Sequence, residues 1–291
     1  MDSVSAQSFP DFEVIAVDDG SAPGTGALLQ AHGEKDPRWT VVRSEAIGLG
    51  RARNLGIERA RGRWLAFIDD DDLWFPTRLE RQLEFLHGNP GVLALGSGAV
   101  YIGASGRKIG IYNFGPHSIA ESRAWRREGK IVNLLTSSAI LDARAARECG
   151  GFSGIHHAAE DVVLYNRMAS RGDVLSLPDT LVQYRVHPRS VSAKNVPFQR
   201  LVFRWLEYNL REQNAGRPEI DLEEFRAMPQ ERGRLRRLWT YRADLAAVLY
   251  RNAGGLLADR RWFLGGANLL AAFAAAPLYV GKRLLRQARP F

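Results

Sequence analysis

"GLGRARNLGIERARGRWLAFIDDDDLWFPTRL", residues 48–79, decides how this chain is read. Leu49, Ala52, Leu55, Gly56 and Ala60 recur at helical spacing, and Gly62 closes the run. RWLAFI (63–68) then reads as a buried strand, and it ends on four consecutive aspartates, Asp69 to Asp72. Neighbouring carboxylates repel one another and are costly to bury without partners. Capping of the helix that begins near Pro76 would use one of them and leave three unexplained.

The same grammar extends outward. FEVIAV (12–17) is a strand that runs into the turn signal Asp18-Asp19-Gly20-Ser21, and WTVV (39–42) is a second strand. PTRLERQLEFLHG (76–88) is a helix bounded by Pro76 and Gly88. VLALGSGAVYIG (92–103) and SSAIL (137–141) are further strands, and VLSLPDTLVQYRVH (174–187) is extended. EDVVLYNRMASRG (160–172) is a helix opened by acids and ended by Gly172. Strands alternating with helices predict an α/β fold with a mainly parallel sheet flanked by helices. In such sheets ligands bind beyond the carboxyl ends of the strands, which is where both aspartate clusters fall. Mg²⁺ or Mn²⁺ held by one or two carboxylates and by diphosphate oxygens accounts for carboxylates there.

Composition sets the outer bounds. The 291 residues suffice for one large domain with an appendage, and a lone cysteine, Cys149, excludes an internal disulfide or a thiolate metal cage. The net charge of +8 is unevenly placed: residues 1–194 hold 23 Lys/Arg and 23 Asp/Glu, whereas 195–291 hold 17 against 9. From about 195 onward the pattern is almost wholly helical, so the expected division is 1–194 and a basic helical region 195–291. Basic charge interleaved with apolar helix favours an anionic membrane surface over nucleic acid; a solvated basic face is the alternative. WFLGGANLLAAFAAAPLYVG (262–281) carries no charge, but its Ala/Gly content reads as an interfacial or packed helix before a membrane span. MDSVSAQSFPDFE has neither a basic start nor an apolar core, so no secretory leader is expected there, and the expected location is cytoplasmic, at the inner membrane face.

Five blocks, "PDFEVIAVDDGS", the 48–79 run, "GGF" (150–152), "AEDVVLYNRMASRG" and "YRVH" (184–187), stand in an order that resembles the family 2 inverting glycosyltransferases of the GT-A fold. They spread over residues 1–192. The resemblance implies a metal-dependent enzyme that moves a sugar from a nucleotide-diphospho-sugar to a hydroxyl on a saccharide, lipid-linked or protein-glycan acceptor. It implies donor contacts from Asp18, Asp19, Arg53, Asp69 and Asp70, and a metal held by Asp71 and His187. Asp161 would be the general base, taking the acceptor proton as the oxygen attacks the anomeric carbon. Trp74, His156, His157 and Glu160 would line the acceptor side, Trp74 as a stacking face or as plain core.

One departure stands out. The family opens with a strand of the form "VSVIIPTYN", whereas "SVSAQSFPDFE" matches the helix and turn that follow it. Two strands are therefore expected to lack their shared neighbour, whether through a misplaced start, a shortened chain or degeneration. The competing expectations are a catalytically impaired or membrane-associated binding module of the same fold, and a nucleotidyltransferase. The latter would need a Gly-rich, Lys-bearing nucleotide signature after an N-terminal strand, and none follows one here.

Overall fold

The computed structural model describes residues 1–154, 158–187, 195–228 and 233–287, with backbone alone at 234–237 and 285–287. These residues divide into two units: 1–99 with 111–184, and 100–110 with 185–291.

In the first unit, β1 (Val14–Asp19) pairs in parallel with β2 (Trp39–Ser44), joined by α2 (Pro23–Gly33). α3 (Leu49–Arg59) follows Gly48, whose φ of 93° is left-handed and suits only glycine without strain. α3 lies on β1, so close that a Cβ added at Gly56 would come within 3.8 Å of Val17 Cγ2. A short α1 (Asp2–Ser5) precedes these elements.

The larger sheet has the order β3-β7-β5-β8-β4, with β6 on β5. Its strands are β3 (Trp64–Ala66), β4 (Leu73–Trp74), β5 (Val92–Ile102), β6 (Lys108–Tyr112), β7 (Ile140–Asp142) and β8 (Asp173–Arg185). β3–β7, β5–β7 and β4–β8 of this sheet run antiparallel, whereas the parallel pairing is in the separate β1–β2 sheet. Alternating strands and helices dictate parallel pairing only between strands that follow one another in sequence. Here β3 lies beside β7, far along the chain, and nothing in the local pattern fixes that sense. Among the described residues, β1 pairs only with β2 and β3 only with β7, which makes two sheets where one was expected.

α4 (Arg78–Gly88), α5 (Ile119–Arg127), α6 (Ala143–Glu148) and α7 (Glu160–Ala169) complete this unit. Ser118 caps α5 through Glu121 N, and Asp142 caps α6 through Ala145 N. The core joins Leu65, Leu141, Phe152, Leu164, Tyr165 and Met168, which ties α7 to the strand ends beside it.

The second unit holds α8 (Val196–Asn214), α9 (Leu222–Ala227), α10 (Arg234–Ala258), α11 (Trp262–Ala275) and α12 (Pro277–Gln287). Asp259 accepts hydrogen bonds from Ser105 N and Oγ, which fastens the β5–β6 turn to the end of α10. The apolar stretch 262–281 is two helices, broken at Ala276 before Pro277. No described helix is long and apolar enough to cross a membrane.

Candidate active site

The chain leaves β3 at Ala66 and re-enters the sheet at Leu73, so the four aspartates form a short irregular loop. Asp69 N donates to Ser137 Oγ at 3.1 Å, and Asp72 N closes a turn onto Asp69 O at 3.2 Å. This geometry separates the carboxylates. Asp69 accepts from Arg53 Nη2 at 2.7 Å, Asp70 is exposed, Asp71 is half-buried and Asp72 is buried. Repulsion among Asp69, Asp70 and Asp71 is relieved by one guanidinium and by solvent, while Asp72 is turned away into the interior.

Arg53 sits on α3 with 11% of its side chain exposed, and its second arm, Nη1, donates to Glu160 Oε1 at 2.9 Å. One cation thus ties the acidic loop to the first residue of α7. Burial opposes the charge on Arg53, but Asp69, Asp161 and Glu160 outweigh it and hold the guanidinium firmly protonated. Glu160 is buried; burial and then the adjacent Asp161 raise its pKa, with Arg53 pulling the other way.

Asp161 follows at the second helical position, where the α7 dipole favours negative charge. Thr136 Oγ1 donates to Asp161 Oδ2 at 2.6 Å, and Val162 N donates to Oδ1 at 2.8 Å. Behind Thr136 lies the hydroxyl of Tyr165, fully buried, at 3.4 Å from Thr136 Oγ1. Burial, reinforced by Asp161, pushes that phenol far above its ordinary range and keeps it a neutral donor. Thr136 and Ser137 belong to one 3-10 turn (Thr136–Ser138), so a single turn holds both the base candidate and the acidic loop. Ala159, which caps α7, has a φ of 65°, a left-handed conformation that is costly for a residue with a Cβ.

The shell beneath these groups explains two sequence motifs. Asn54 donates to Phe152 O and accepts from Phe152 N, both at 2.8 Å, so α3 grips the "GGF" loop. Gly150 and Gly151 both have left-handed φ, and a Cβ on Gly151 would collide with Asn54 Oδ1. On the other side, buried Arg78 donates to Phe67 O (3.2 Å), Ala139 O (3.0 Å) and Gln82 Oε1 (3.0 Å). Gln82 in turn reaches Leu95 O and Ser138 O. Asn54, Arg78, Thr136 and Ser137 were not anticipated from sequence, because their partners lie far along the chain.

Several expected contacts are redirected. Trp74 is buried, donates Nε1 to Ser137 O at 3.0 Å and carries the Arg78 guanidinium 3.9 Å from its ring centre. It is core and does not present a stacking face. Glu160 is Arg53's internal partner and does not line an open acceptor side. Asp18 points inward and its Oδ1 accepts from Ser21 N, which sets the turn; hydrogen bonds from the Ser21 side chain and then its backbone lower the Asp18 pKa. Asp19 accepts from Ser44 Oγ, Ile47 N and Gly48 N at 2.7–2.8 Å, so it shapes the loop into α3. Burial alone would raise the Asp19 pKa, and these three bonds leave it below the ordinary value. His187 belongs to the second unit, and His156 and His157 lie outside the described residues.

For a divalent cation the donor set is hard carboxylate oxygen on an accessible loop, which suits Mg²⁺ or Mn²⁺. Among the described residues no three His, Cys, Asp or Glu side chains converge as a cage. A cation completed by diphosphate oxygens needs only one or two protein carboxylates.

The Glycosyl transferase family 2 model matches residues 1–167. The chain belongs to that family. Its relatives include an Escherichia coli UDP-Glc:alpha-D-GlcNAc-diphosphoundecaprenol beta-1,3-glucosyltransferase, WfaP. It is 27% identical over 197 residues, which cover 66% of this chain and 73% of WfaP. Against several other curated relatives the match spans only 13% to 34% of the relative's length. Two solved structures share the GT-A fold. TarS of S. aureus in complex with UDP-GlcNAc gives a TM-score of 0.55 at 15% identity, covering 100% of this chain and 87% of TarS. The mannosyltransferase PcManGT of Pyrobaculum calidifontis, in complex with GDP-Man and Mn²⁺, gives 0.55 at 20% identity, covering 94% and 80%.

Proposed function

We propose that this family 2 chain is a metal-dependent inverting glycosyltransferase. It would move a sugar from a nucleotide-diphospho-sugar to a hydroxyl of a saccharide or lipid-linked acceptor in cell-surface polysaccharide synthesis. The observation that carries the reading is the bridge of Arg53 between Asp69 and Glu160, which brings the acidic loop and Asp161 into one site. The lipid-diphosphate acceptor in the name of WfaP supports the acceptor class, and it would put the work at the inner face of the cytoplasmic membrane.

Asp161 accepts the acceptor hydroxyl's proton as that oxygen attacks the anomeric carbon from the face opposite the leaving group. Thr136 fixes the carboxylate's rotation through Oδ2 and leaves the remaining lone pairs for the incoming proton. Asp71, with Asp70 beside it, would hold Mg²⁺ or Mn²⁺. When bound, the cation neutralises the departing nucleoside diphosphate as a Lewis acid. Arg53 uses two nitrogens on carboxylates, and a guanidinium has five N–H donors, so it can also face the donor phosphates. Asp19 has about one carboxylate lone pair beyond its three bonds for a nucleotide base.

A second reading keeps the fold and the donor site without turnover; the division into two sheets favours it. Donor turnover across several nucleotide sugars, with Mn²⁺ and with a chelator, separates the two. The enzyme reading expects Mn²⁺-dependent turnover by the wild type. It also expects Asp161→Asn to lose about 10²–10⁴-fold in rate with donor affinity retained. Donor binding without turnover in the wild type would establish the second reading, and near-normal transfer by Asp161→Asn would remove Asp161 as base.

A further inference from the structure

The second unit displays an apolar surface that a protein in water has no use for. α11 packs inward through Gly265 and Ala272, where a Cβ on Gly265 would strike Leu257 of α10. Its opposite face carries Phe263, Leu270 and Phe273 into solvent, Phe263 with 88% of its surface exposed. Phe263 and Leu270 are seven residues apart, two helical turns, and so share one face. Leu278, at the start of α12, is 82% exposed, and Trp262 and Trp239 are also turned outward. Scattered exposed leucines are ordinary, but a continuous uncharged helix face with several large apolar side chains marks a contact surface.

Charge selects the occupant. The stretch 262–281 is uncharged, and its ends carry exposed Arg260 and Arg261 on one side and Lys282 and Arg283 on the other. From Arg260 to Phe291 the sequence contains no Asp or Glu. A second copy docked on the same face would bring two cationic rims together, which is unfavourable for a self-complementary contact. An anionic bilayer satisfies both halves: headgroups take the arginines and lysine, and the acyl boundary takes the rings. At 14 residues α11 is about 21 Å long, too short to cross a hydrocarbon core of about 30 Å, so it lies along the surface. Arg242 of α10 donates to Ala274 O and Ala275 O, which ties the C-terminal end of α11 to α10.

We propose that α11 and the start of α12 form an interfacial docking face for an anionic lipid bilayer. This inference stands on the second unit alone and does not depend on the catalytic reading. The test is co-flotation of the full chain, without donor, on phosphatidylcholine vesicles and on vesicles that also contain phosphatidylglycerol. The chain is expected to float with the anionic vesicles, to remain largely unbound to the neutral ones, and to be released by salt. Phe263→Ser with Leu270→Ser should lower the bound fraction at least about tenfold, and Arg260→Gln with Arg261→Gln about fivefold per charge removed. Quenching by brominated lipid should be weaker in Trp262→Phe, a variant that preserves packing. Equal binding to both vesicles or to neither, unchanged quenching in Trp262→Phe, or a solution dimer dissolved by Phe263→Ser would each overturn the proposal.

Discussion

At the residue scale, the site is governed by how few cations serve many carboxylates. Arg53 pairs with both Asp69 and Glu160, and Asp161 accepts its side-chain hydrogen bond from the Thr136 hydroxyl. Thr136→Val removes that hydroxyl at nearly constant volume. A hydrogen bond to a charged group is worth about 1.5–3 kcal/mol, so kcat should fall about 10- to 100-fold. Donor KM should stay unchanged and Thr136→Ser should restore the rate; a purely structural role would move both constants and would not be rescued.

Glu160 gives a second residue-level prediction, in pH. Its folded pKa lies above the ordinary carboxylate value because of burial and Asp161, so between those two values the native state holds a proton that the unfolded chain has lost. The stability from this group is fully present below the ordinary value and declines as pH rises through the raised one, by at most about 1.4 kcal/mol per pH unit. Denaturant midpoints measured upward from about pH 4 should show that decline in the wild type. Glu160→Gln, which cannot ionise there, should flatten it.

At the scale of elements, α3 is the hinge of the arrangement, since Arg53 and Asn54 point to different partners from adjacent positions. Asn54 holds the "GGF" loop only because Gly151 occupies the left-handed region with no Cβ. Gly151→Ala should therefore destabilise the chain by at least about 1–2 kcal/mol from backbone strain alone, read as a lower thermal midpoint. The elements themselves were largely legible in sequence. Helices over 48–62 and 76–88 appear as α3 and α4 with trimmed ends, and the strands at 12–17, 39–42 and 63–68 appear as β1, β2 and β3. Periodicity and capping are local properties, so a local reading suffices for them. The antiparallel sense of β3–β7 was not legible, because it depends on a partner some 75 residues away. The same distance hid Thr136, Ser137 and Arg78, whose roles exist only once the 3-10 turn meets the acidic loop. Trp74 stays open in sequence between a stacking face and core, because an aromatic beside acids looks alike whether it faces a ligand or Arg78.

At the scale of the whole molecule, the chain separates chemistry from charge. The first unit carries the acidic and guanidinium groups of the site, while residues 195–291 carry the basic excess and the uncharged outer face of α11. The central claim concerns the chemistry: one base carboxylate, Asp161, and a single displacement. Two carboxylates acting in turn, with a covalent sugar intermediate, would retain the anomeric configuration, whereas one displacement inverts it. The direct measurement is the anomeric configuration of the transferred sugar, read by proton NMR coupling at C1 immediately after turnover of an α-linked nucleotide-sugar donor. A β-linked product is the predicted result, and an α-linked product would contradict the account.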